Sequence, residues 1–273
     1  MALVLCNDAG GMHLELTQLL SGLLVGLIVG FTGVGGGSLM APIMILFLGV
    51  APVTAVGTDL WFAAITKAVG GTVHHRRGNA DLRVVKWLCI GSIPSALVTV
   101  FGLSHFHGGQ IKGGLVTELL GGVLLLTAVA TIFRSNIRKI GRHLRLKRRI
   151  RFKELQFPLT VAAGAILGVL VTLTSVGAGA LCATVLVFLF PVRLKVHQIV
   201  GTDIVHAIPL TLVAGLGHLW LGNVDGSLLV SLLSGSIPGI VIASMATSKV
   251  NEQTIQTALS AVLLIVGLRL ILS

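Results

Sequence analysis

Two aspartates lie within apolar stretches of the chain and end two copies of the same short string. Asp59 completes GTD at positions 57–59, and Asp203 completes GTD at positions 201–203. A charge inside an apolar segment is expensive, so such residues usually face a cavity or a partner. The pair indicates a proton site or an organiser of a substrate site, or else two carboxylates that cap nearby backbone N–H groups. His206 follows Asp203 by three residues and therefore shares its helical face.

Two glycine-rich turns are the second feature that could carry chemistry. FTGVGGGS occupies positions 31–38, and LTSVGAGA occupies positions 173–180. Glycine adopts positive φ at little cost and lets a backbone or a ligand approach closely. Each turn precedes a short apolar segment, and the first N–H groups of a helix have no partner inside that helix. Two such helix ends aimed at one point suit an anion, and close packing of small residues between helices is the alternative.

The strings recur at a constant offset, which indicates an internal duplication. GTD begins at 57 and 201, GSIP begins at 91 and 235, and the related strings GNAD and GNVD begin at 78 and 222. Each pair is 144 residues apart, and the order of the strings is the same in both halves. The chain is therefore expected to contain two related structural units.

The composition is that of a membrane protein. Hydrophobic residues make up 54% of the chain and charged residues 11%, whereas a soluble domain carries about 25% charged residues. Apolar runs fill most of the 273 residues. We therefore expect an all-α, multi-pass integral membrane protein.

The charged residues and the cysteines argue against several other classes of protein. The chain has 20 Lys and Arg against 9 Asp and Glu, and ten of the basic residues lie in one block between Arg134 and Lys153, so we expect no nucleic-acid partner. Cys6, Cys89 and Cys182 have no pairing or ligand spacing, so we expect no disulfide, metal or cofactor framework. No basic stretch precedes the first apolar run, so we expect no cleaved signal peptide.

Ten apolar segments are expected, five in each half. Most approach the ~20 residues that a helix needs to cross ~30 Å of hydrocarbon. The second segment of each half is too short, since residues 39–50 would give ~18 Å of helix at ~1.5 Å per residue. A broken or re-entrant helical hairpin at the glycine turn explains this, and a short tilted helix in a thin region of bilayer is the alternative. The segments are 14–31, 39–50, 53–73, 82–103 and 111–133, then 155–173, 181–190, 196–221, 227–247 and 255–272.

The distribution of basic residues predicts how the segments are oriented. Basic residues follow the third, fifth, seventh and ninth segments, whereas the loop after the fourth carries only Lys112 and the other even-numbered loops carry none. The positive-inside rule therefore places every odd loop in the cytoplasm and both termini outside. An odd number of crossings makes the second repeat inverted, as in many secondary transporters. The units are an N-terminal repeat (14–133), a basic cytoplasmic linker (134–153) and a C-terminal inverted repeat (154–273).

The linker between Arg134 and Lys153 is itself patterned. Ile137, Ile140 and Leu144 are spaced for one helical face, with arginines around them. This pattern predicts an amphipathic helix on anionic cytoplasmic lipid. The alternative is a basic segment that only anchors the topology between the two halves.

Lys67 is a single cation inside an apolar segment. It lies eight residues after Asp59, about 80° around a helix at ~100° per residue, so the two are not expected to pair directly. We expect its side chain to snorkel to the cytoplasmic interface rather than to line a cavity as a cation.

The duplicated glycine turn, GTD string and GSIP string resemble those of the TauE/SafE sulfite-exporter family. The resemblance covers almost the whole chain, residues 14–272. It implies an inner-membrane transporter that moves sulfite, sulfonates or similar sulfur-containing anions, usually outward. It also implies that the turns and the GTD strings form the binding region. Asp59, Asp203 and His206 are candidates for coupling or for organising the site because of their own positions in the apolar segments. The implied substrate-binding residues are Thr32, Gly35, Gly36, Gly37, Ser38, Thr58, Thr174, Ser175, Gly177, Gly179 and Thr202.

Three classes of function remain open. A secondary transporter for a small anion, working by alternating access between inverted halves, agrees with the duplication. A passive anion channel is the second. An intramembrane enzyme is the third, but a protease would need a GxGD string that the chain lacks, and a lipid pyrophosphate phosphatase would need arginine beside the turns. We therefore expect no enzymatic activity. The expected partners are a small anion and membrane lipid, and a homodimer is left open.

The inverted topology can be tested by labelling the termini. Single cysteines at Asn7 and Ser273, in a chain without the three native cysteines, should react with an impermeant maleimide added outside intact cells, because both termini are expected to be extracytoplasmic. Labelling confined to inside-out vesicles would overturn this topology.

Overall fold

The protein is entirely helical in the part that the structure describes. The computed structural model describes residues 16–32, 39–75, 80–107, 113–147, 149–246 and 252–272. The helices in these ranges are α1 (Leu16–Thr32), α2 (Met40–Leu46), α3 (Pro52–His75), α4 (Leu82–His107), α5 (Gly113–Ile132), α6 (Arg134–Lys147), α7 (Arg149–Thr174), α8 (Ala180–Leu189), α9 (Val196–Trp220), α10 (Gly226–Ala246) and α11 (Glu252–Leu272). The expected all-α fold is confirmed.

Five of the described helices are long and apolar enough to cross a membrane, namely α4, α5, α7, α9 and α10. Large apolar side chains cover their outer surfaces, including Val98 at 71% exposure and Ile166 at 61%. A continuous apolar surface of this kind is unfavourable in water and suits a hydrocarbon environment. The chain is therefore a multi-pass membrane protein.

The helices follow the ten expected segments, and the main differences lie at two boundaries. Residues 134–147 form the separate helix α6, and α7 begins at Arg149, inside the expected linker of 134–153. Arginine and lysine are good helix formers, so this helix extends past its apolar part into the charged flank. The helix α2 is shorter than the expected segment 39–50, because Gly49 adopts φ 64° after it and Pro52 begins α3.

In the second half, α7, the turn 175–179 and α8 form a helical hairpin. The side-chain amide of Gln156, near the start of α7, donates to the carbonyl of Leu189 at the end of α8 over 2.7 Å. The chain therefore returns to the side from which α7 entered. The 10 residues of α8 give ~15 Å of helix, about half of the hydrocarbon thickness. The corresponding turn of the first half, at 33–38, lies outside the described residues.

The two halves interlock rather than forming separate bundles. The helix α1 packs along α10, and α7 packs along α4, so the first helix of each half lies on the fourth helix of the other. In addition, α3 crosses α9, and α5 packs on α11. The starts of α3 and α9, at Pro52 and Val196, and those of α4 and α10, at Leu82 and Gly226, are both 144 residues apart. The helix boundaries thus keep the register of the repeated strings.

Small residues bring the backbones into contact at the two equivalent crossings, α1 with α10 and α7 with α4. A Cβ atom at Gly26 would collide with the backbone of Ser236, and one at Gly168 would collide with the backbone of Ser92. Helices in lipid gain little from the hydrophobic effect on association, so they depend on such close van der Waals packing. The glycines one turn earlier, Gly22 and Gly164, are placed in the same way.

These crossings provide a stability prediction. Gly26→Val and Gly168→Val should each destabilise the folded protein by about 1–3 kcal/mol, because the added side chain must separate two packed backbones. Melting temperature and folded yield in detergent are the measurements. The control is Gly122→Val, since a Cβ at Gly122 meets no atom within 4 Å among the described residues. Equal losses in all three variants would contradict the packing role.

Candidate functional site

Four of the buried ionisable side chains near the crossing of α3 and α9 form a cluster inside the bundle. Asp59 and Lys67 belong to α3, and Asp203 and His206 belong to α9. Each of them has at most 2% of its surface exposed. Charged residues are almost never fully buried without partners or a function, so this cluster is the candidate site.

The two helices cross in opposite directions. The indole N–H of Trp61 donates to the carbonyl of Gly215 over 2.9 Å. Gly57, four residues before Trp61, lies against the backbone of Asn223, which is eight residues after Gly215 in the loop that follows α9. Asp59 and Asp203 each lie seven residues after the start of their helix. The two carboxylates therefore enter the bundle from opposite ends, as an inverted arrangement requires.

Lys67 joins the two halves. Its ammonium donates a hydrogen bond to the carbonyl of Ala178, in the turn of the second half. Its charge is attracted by Asp203 and, more weakly, by Asp59. The expectation that Lys67 snorkels to the interface is wrong, since the side chain is only 2% exposed. Helical spacing relates Lys67 only to Asp59 on the same helix, whereas the residues that hold the ammonium, Ala178 and Asp203, belong to the other half.

Asp59 is buried without a hydrogen-bond partner. Both of its carboxylate oxygens lack one among the described residues, and so does the hydroxyl of Ser175. The Ser175 hydroxyl and the backbone N–H of Ala41, at the start of α2, are nevertheless close enough to favour the charged carboxylate. Neither group forms a hydrogen bond of normal geometry with the carboxylate, and buried polar atoms left without a partner require an explanation such as a bound ligand or water.

Asp203 and His206 lie against the start of α8. Asp203 interacts with the thiol of Cys182 and with Lys67, and its Oδ1 has no hydrogen-bond partner among the described residues. Nε2 of His206 is 2.9 Å from the hydroxyl of Ser92 in the first half, and its Nδ1 is 3.7 Å from the sulfur of Cys182. The imidazole therefore connects α4, α8 and α9, which favours an organising role.

The turn of the second half is stabilised from within. The hydroxyl of Thr174 donates to the carbonyl of Leu170 over 2.7 Å and accepts the N–H of Val176 over 3.2 Å. Gly177 has φ 118°, a conformation that residues with a Cβ rarely adopt. Gly179 is buried and immediately precedes α8. Of the predicted binding residues in this turn, Ser175 is thus the one whose side-chain hydroxyl has no hydrogen-bond partner among the described residues.

The threonines of the two GTD strings have reciprocal structural partners. The hydroxyl of Thr58 accepts the backbone N–H of Asp225 over 3.1 Å, and the hydroxyl of Thr202 accepts the backbone N–H of Asp81 over 3.0 Å. Each of those aspartates in turn caps the following helix, α10 or α4, through its Oδ1. The repeated strings GTD and GNAD or GNVD therefore form two equivalent contacts between the halves, one at each end of α9.

Several predicted binding residues of the first half lie beyond the described structure. Thr32 ends α1, with no description of its side chain, and Gly35, Gly36, Gly37 and Ser38 lie outside the described residues. Their roles, and those of the described binding residues, stay predictions.

The arrangement has the groups that bind and release small ions. Lys67 provides a cation, Asp59 and Asp203 can each hold a proton, and Ser175 offers a free hydroxyl. The described residues contain no group of three or more His, Cys, Asp and Glu that could hold a metal ion. The cluster therefore combines a basic side chain, two acidic side chains and a hydroxyl where the two halves meet.

Comparison with known families identifies the kind of protein that contains this cluster. Residues 18–270 match the sequence model of the family described as sulfite exporter TauE/SafE. The chain belongs to this family. It is thus a membrane transporter, and the resemblance seen in the repeated strings is confirmed.

Relatives along the full length of this TauE/SafE protein agree with that assignment. "Probable membrane transporter protein YjnA" of Bacillus subtilis (strain 168) is 40% identical over 263 residues, covering 94% of this chain and 100% of the relative. "Probable membrane transporter protein YdhB" of the same organism is 28% identical, covering 91% of this chain and 96% of the relative. No solved structure matches the chain.

The attraction between Lys67 and Asp203 can be measured as a coupling across the halves. Lys67→Met removes the ammonium but keeps the length of the side chain, so it should lower the melting temperature by leaving the carboxylates uncompensated. The double variant Lys67→Met with Asp203→Asn should recover part of the melting temperature lost in Lys67→Met, because one uncompensated carboxylate is removed. The double-mutant cycle should give a coupling free energy of about 0.5–3 kcal/mol.

Thermal unfolding of the four proteins in detergent provides the measurement. Lys86→Met, at an exposed position of α4, is the matched control and should lie within about 0.5 kcal/mol of wild type. If the effects of Lys67→Met and Asp203→Asn simply add, the two side chains do not interact.

Proposed function

We propose that this TauE/SafE protein is a secondary transporter that exports a small sulfur-containing anion, of the sulfite or organosulfonate class, by alternating access. The observation that carries the proposal is Lys67, a buried cation held between the two halves beside two buried carboxylates. A cation fixed inside a membrane protein is expensive, and facing the pathway of an anion is the usual reason for it.

The groups around Lys67 suit an oxyanion. The ammonium has three N–H donors, of which the carbonyl of Ala178 occupies one. Ser175 adds an unpaired hydroxyl, and the turn leads into the N-terminus of α8, the positive end of the helix dipole. Sulfite and sulfonates present several acceptor oxygens in a compact group. These donors therefore match the charge and the hydrogen-bonding pattern of the proposed substrate class.

Charge balance links anion binding to protons. With Lys67 charged and both aspartates ionised, the cluster carries a net charge of −1, which repels an anion. Protonation of one aspartate makes the cluster neutral, and protonation of both makes it positive. Proton occupancy and anion occupancy must then affect each other by the same factor, because binding linkage is reciprocal. An inside-negative membrane potential also drives an anion outward, at about 2.3 kcal/mol per charge per 100 mV.

The frame of the bundle supports alternating access. The Thr202–Asp81 contact and the Thr58–Asp225 contact close the α3–α9 crossing at its two ends. At the first end, Arg193 also forms an ion pair with Asp81 at 2.6 Å. We infer that opening one contact at a time exposes the buried cluster to one side of the membrane and then to the other. The protein would act in the inner membrane with both termini outside, and without enzymatic activity.

Transport by purified protein in liposomes tests the function. Wild type should give saturable efflux or counterflow of sulfite or methanesulfonate, because a carrier must cycle once per anion. Flux that rises without saturation would indicate a channel instead. Absence of flux for every sulfur anion tested, with the folded state verified, would refute the proposal.

The same liposomes test the role of the carboxylates. Asp59→Asn and Asp203→Asn keep the side-chain shape but cannot titrate, so each should abolish acceleration by an imposed pH gradient while anion exchange at equilibrium continues. Asn can replace much of a capping carboxylate, so persistence of the pH effect would favour the capping role. Wild-type flux that responds to potential but not to pH would end the proton-site interpretation.

A further inference from the structure

A large basic cavity lies at one end of the bundle, away from the buried cluster. Its volume is about 890 Å³, within the usual range for ligand sites. The wall contains Arg134, Arg138, Lys139 and Arg142 of α6, together with Ser135. No Asp or Glu is among the described residues of the lining. The described lining therefore carries four basic side chains and no acidic one.

The cations of α6 line the cavity, where Arg134 and Arg138 are half-buried and Lys139 and Arg142 are exposed. Arg134, Arg138 and Arg142 are spaced four residues apart, so they lie along one side of α6. A Cβ atom at Gly141 would collide with the backbone of Phe188, at the end of α8, so α6 is held tightly against the protein. On the opposite side Ile140 is 55% exposed.

Three of these cations, Arg138, Lys139 and Arg142, form no ion pair with the described residues. Nη1 of Arg145, further along α6, is buried without a hydrogen-bond partner among the described residues. Unpaired cations on the wall of a cavity raise the local concentration of anions.

The cavity and the buried cluster lie along the same helix, α9. Val196 and Ile199 of α9 line it, and Asp203 follows on the same face of that helix, one turn deeper. Arg134 lines the cavity as well, and its charge also acts on Asp203. An anion in the cavity would thus lie at the entrance to Lys67 and the two carboxylates.

We propose that the α6 cavity is a loading site, which binds the sulfur oxyanion before it enters the buried cluster. This proposal rests on the proposed function for the identity of its ligand. The cations attract the anion from solution, and the docked position of α6 keeps them at the mouth of the pathway. The headgroup phosphate of an anionic lipid shares the same chemistry, and the experiment separates the two sources.

Binding in the cavity can be measured without transport. A cysteine at Ser135, in protein carrying Cys6→Ser and Cys89→Ser, is labelled in detergent with an anionic and a cationic methanethiosulfonate reagent of similar size. Cys182 is fully buried and is retained. The ratio of the anionic to the cationic labelling rate should exceed that at Asn136→Cys by about tenfold. Asn136 is exposed on the same helix but is not part of the lining, so it reports the general charge of α6.

Added methanesulfonate should slow labelling at Ser135→Cys and leave Asn136→Cys unchanged. Arg138→Gln with Arg142→Gln should remove both the high ratio and the protection. Lys147→Gln with Lys153→Gln changes the net charge equally at exposed positions outside the lining, and should remove neither. Protection by phosphatidylglycerol in mixed micelles but not by methanesulfonate would overturn the proposal in favour of a lipid headgroup. An unchanged ratio in the Arg138 and Arg142 variant would overturn it as well.

The transport assay then tests loading itself. In liposomes the Arg138→Gln and Arg142→Gln variant should raise the KM for the anion about tenfold and leave the maximal rate near wild type, because the site acts before the translocation step. An unchanged KM would overturn the loading role. If wild type transports no sulfur anion but methanesulfonate still protects Ser135→Cys, the proposed substrate fails while the anion site in the cavity stands.

Discussion

The hydrogen bond from Lys67 to the carbonyl of Ala178 is the interaction on which the centre of this protein depends. Backbone that leaves helical geometry inside a membrane is tolerated only where it is buried in protein or lines a polar cavity. The turn 175–179 meets that condition because its residues are buried in the protein and Lys67 satisfies one of its carbonyls. The same bond holds a cation that would otherwise be prohibitively costly at this depth. One contact thus stabilises an interrupted helix and places a positive charge between two carboxylates.

A symmetric frame supports this asymmetric centre. The glycine crossings of α1 with α10 and of α7 with α4 are equivalent, and so are the Thr58–Asp225 and Thr202–Asp81 hydrogen bonds. The chemistry is not duplicated, since Thr211 is at the position equivalent to Lys67 and Phe62 at that equivalent to His206. Duplication thus provides two related structural units that pack against each other. Lys67 of the first half bonds to Ala178 of the second, and His206 of the second half contacts Ser92 of the first, so each of these two side chains links both units.

Much of the architecture could be predicted from the sequence, because in a membrane the apolar length of a segment nearly determines its structure. The apolar segments, the repeat offset and the short half-helix at 180–189 all follow from local pattern. The start of α7, at Arg149, was harder to predict from the sequence, because an apolar run ends where the hydrocarbon ends and a helix can continue beyond it. The location of Lys67 was missed for a related reason. Its nearest charged residue on α3 is Asp59, and nothing in the local spacing shows that Asp203 and Ala178 lie closer to its ammonium.

The sequence by itself determined the membrane class, the internal duplication and the residue types that could bind an anion, since these depend on composition, segment length and repetition. Only the tertiary structure decided which of those residues meet. It brought Lys67 to the turn of the other half, and it committed the threonines of both GTD strings to contacts between the halves. It also directed the arginines of α6 into a cavity. Each of these outcomes depends on how two distant segments cross, and crossing is set by packing between helices, which no local pattern in the chain encodes.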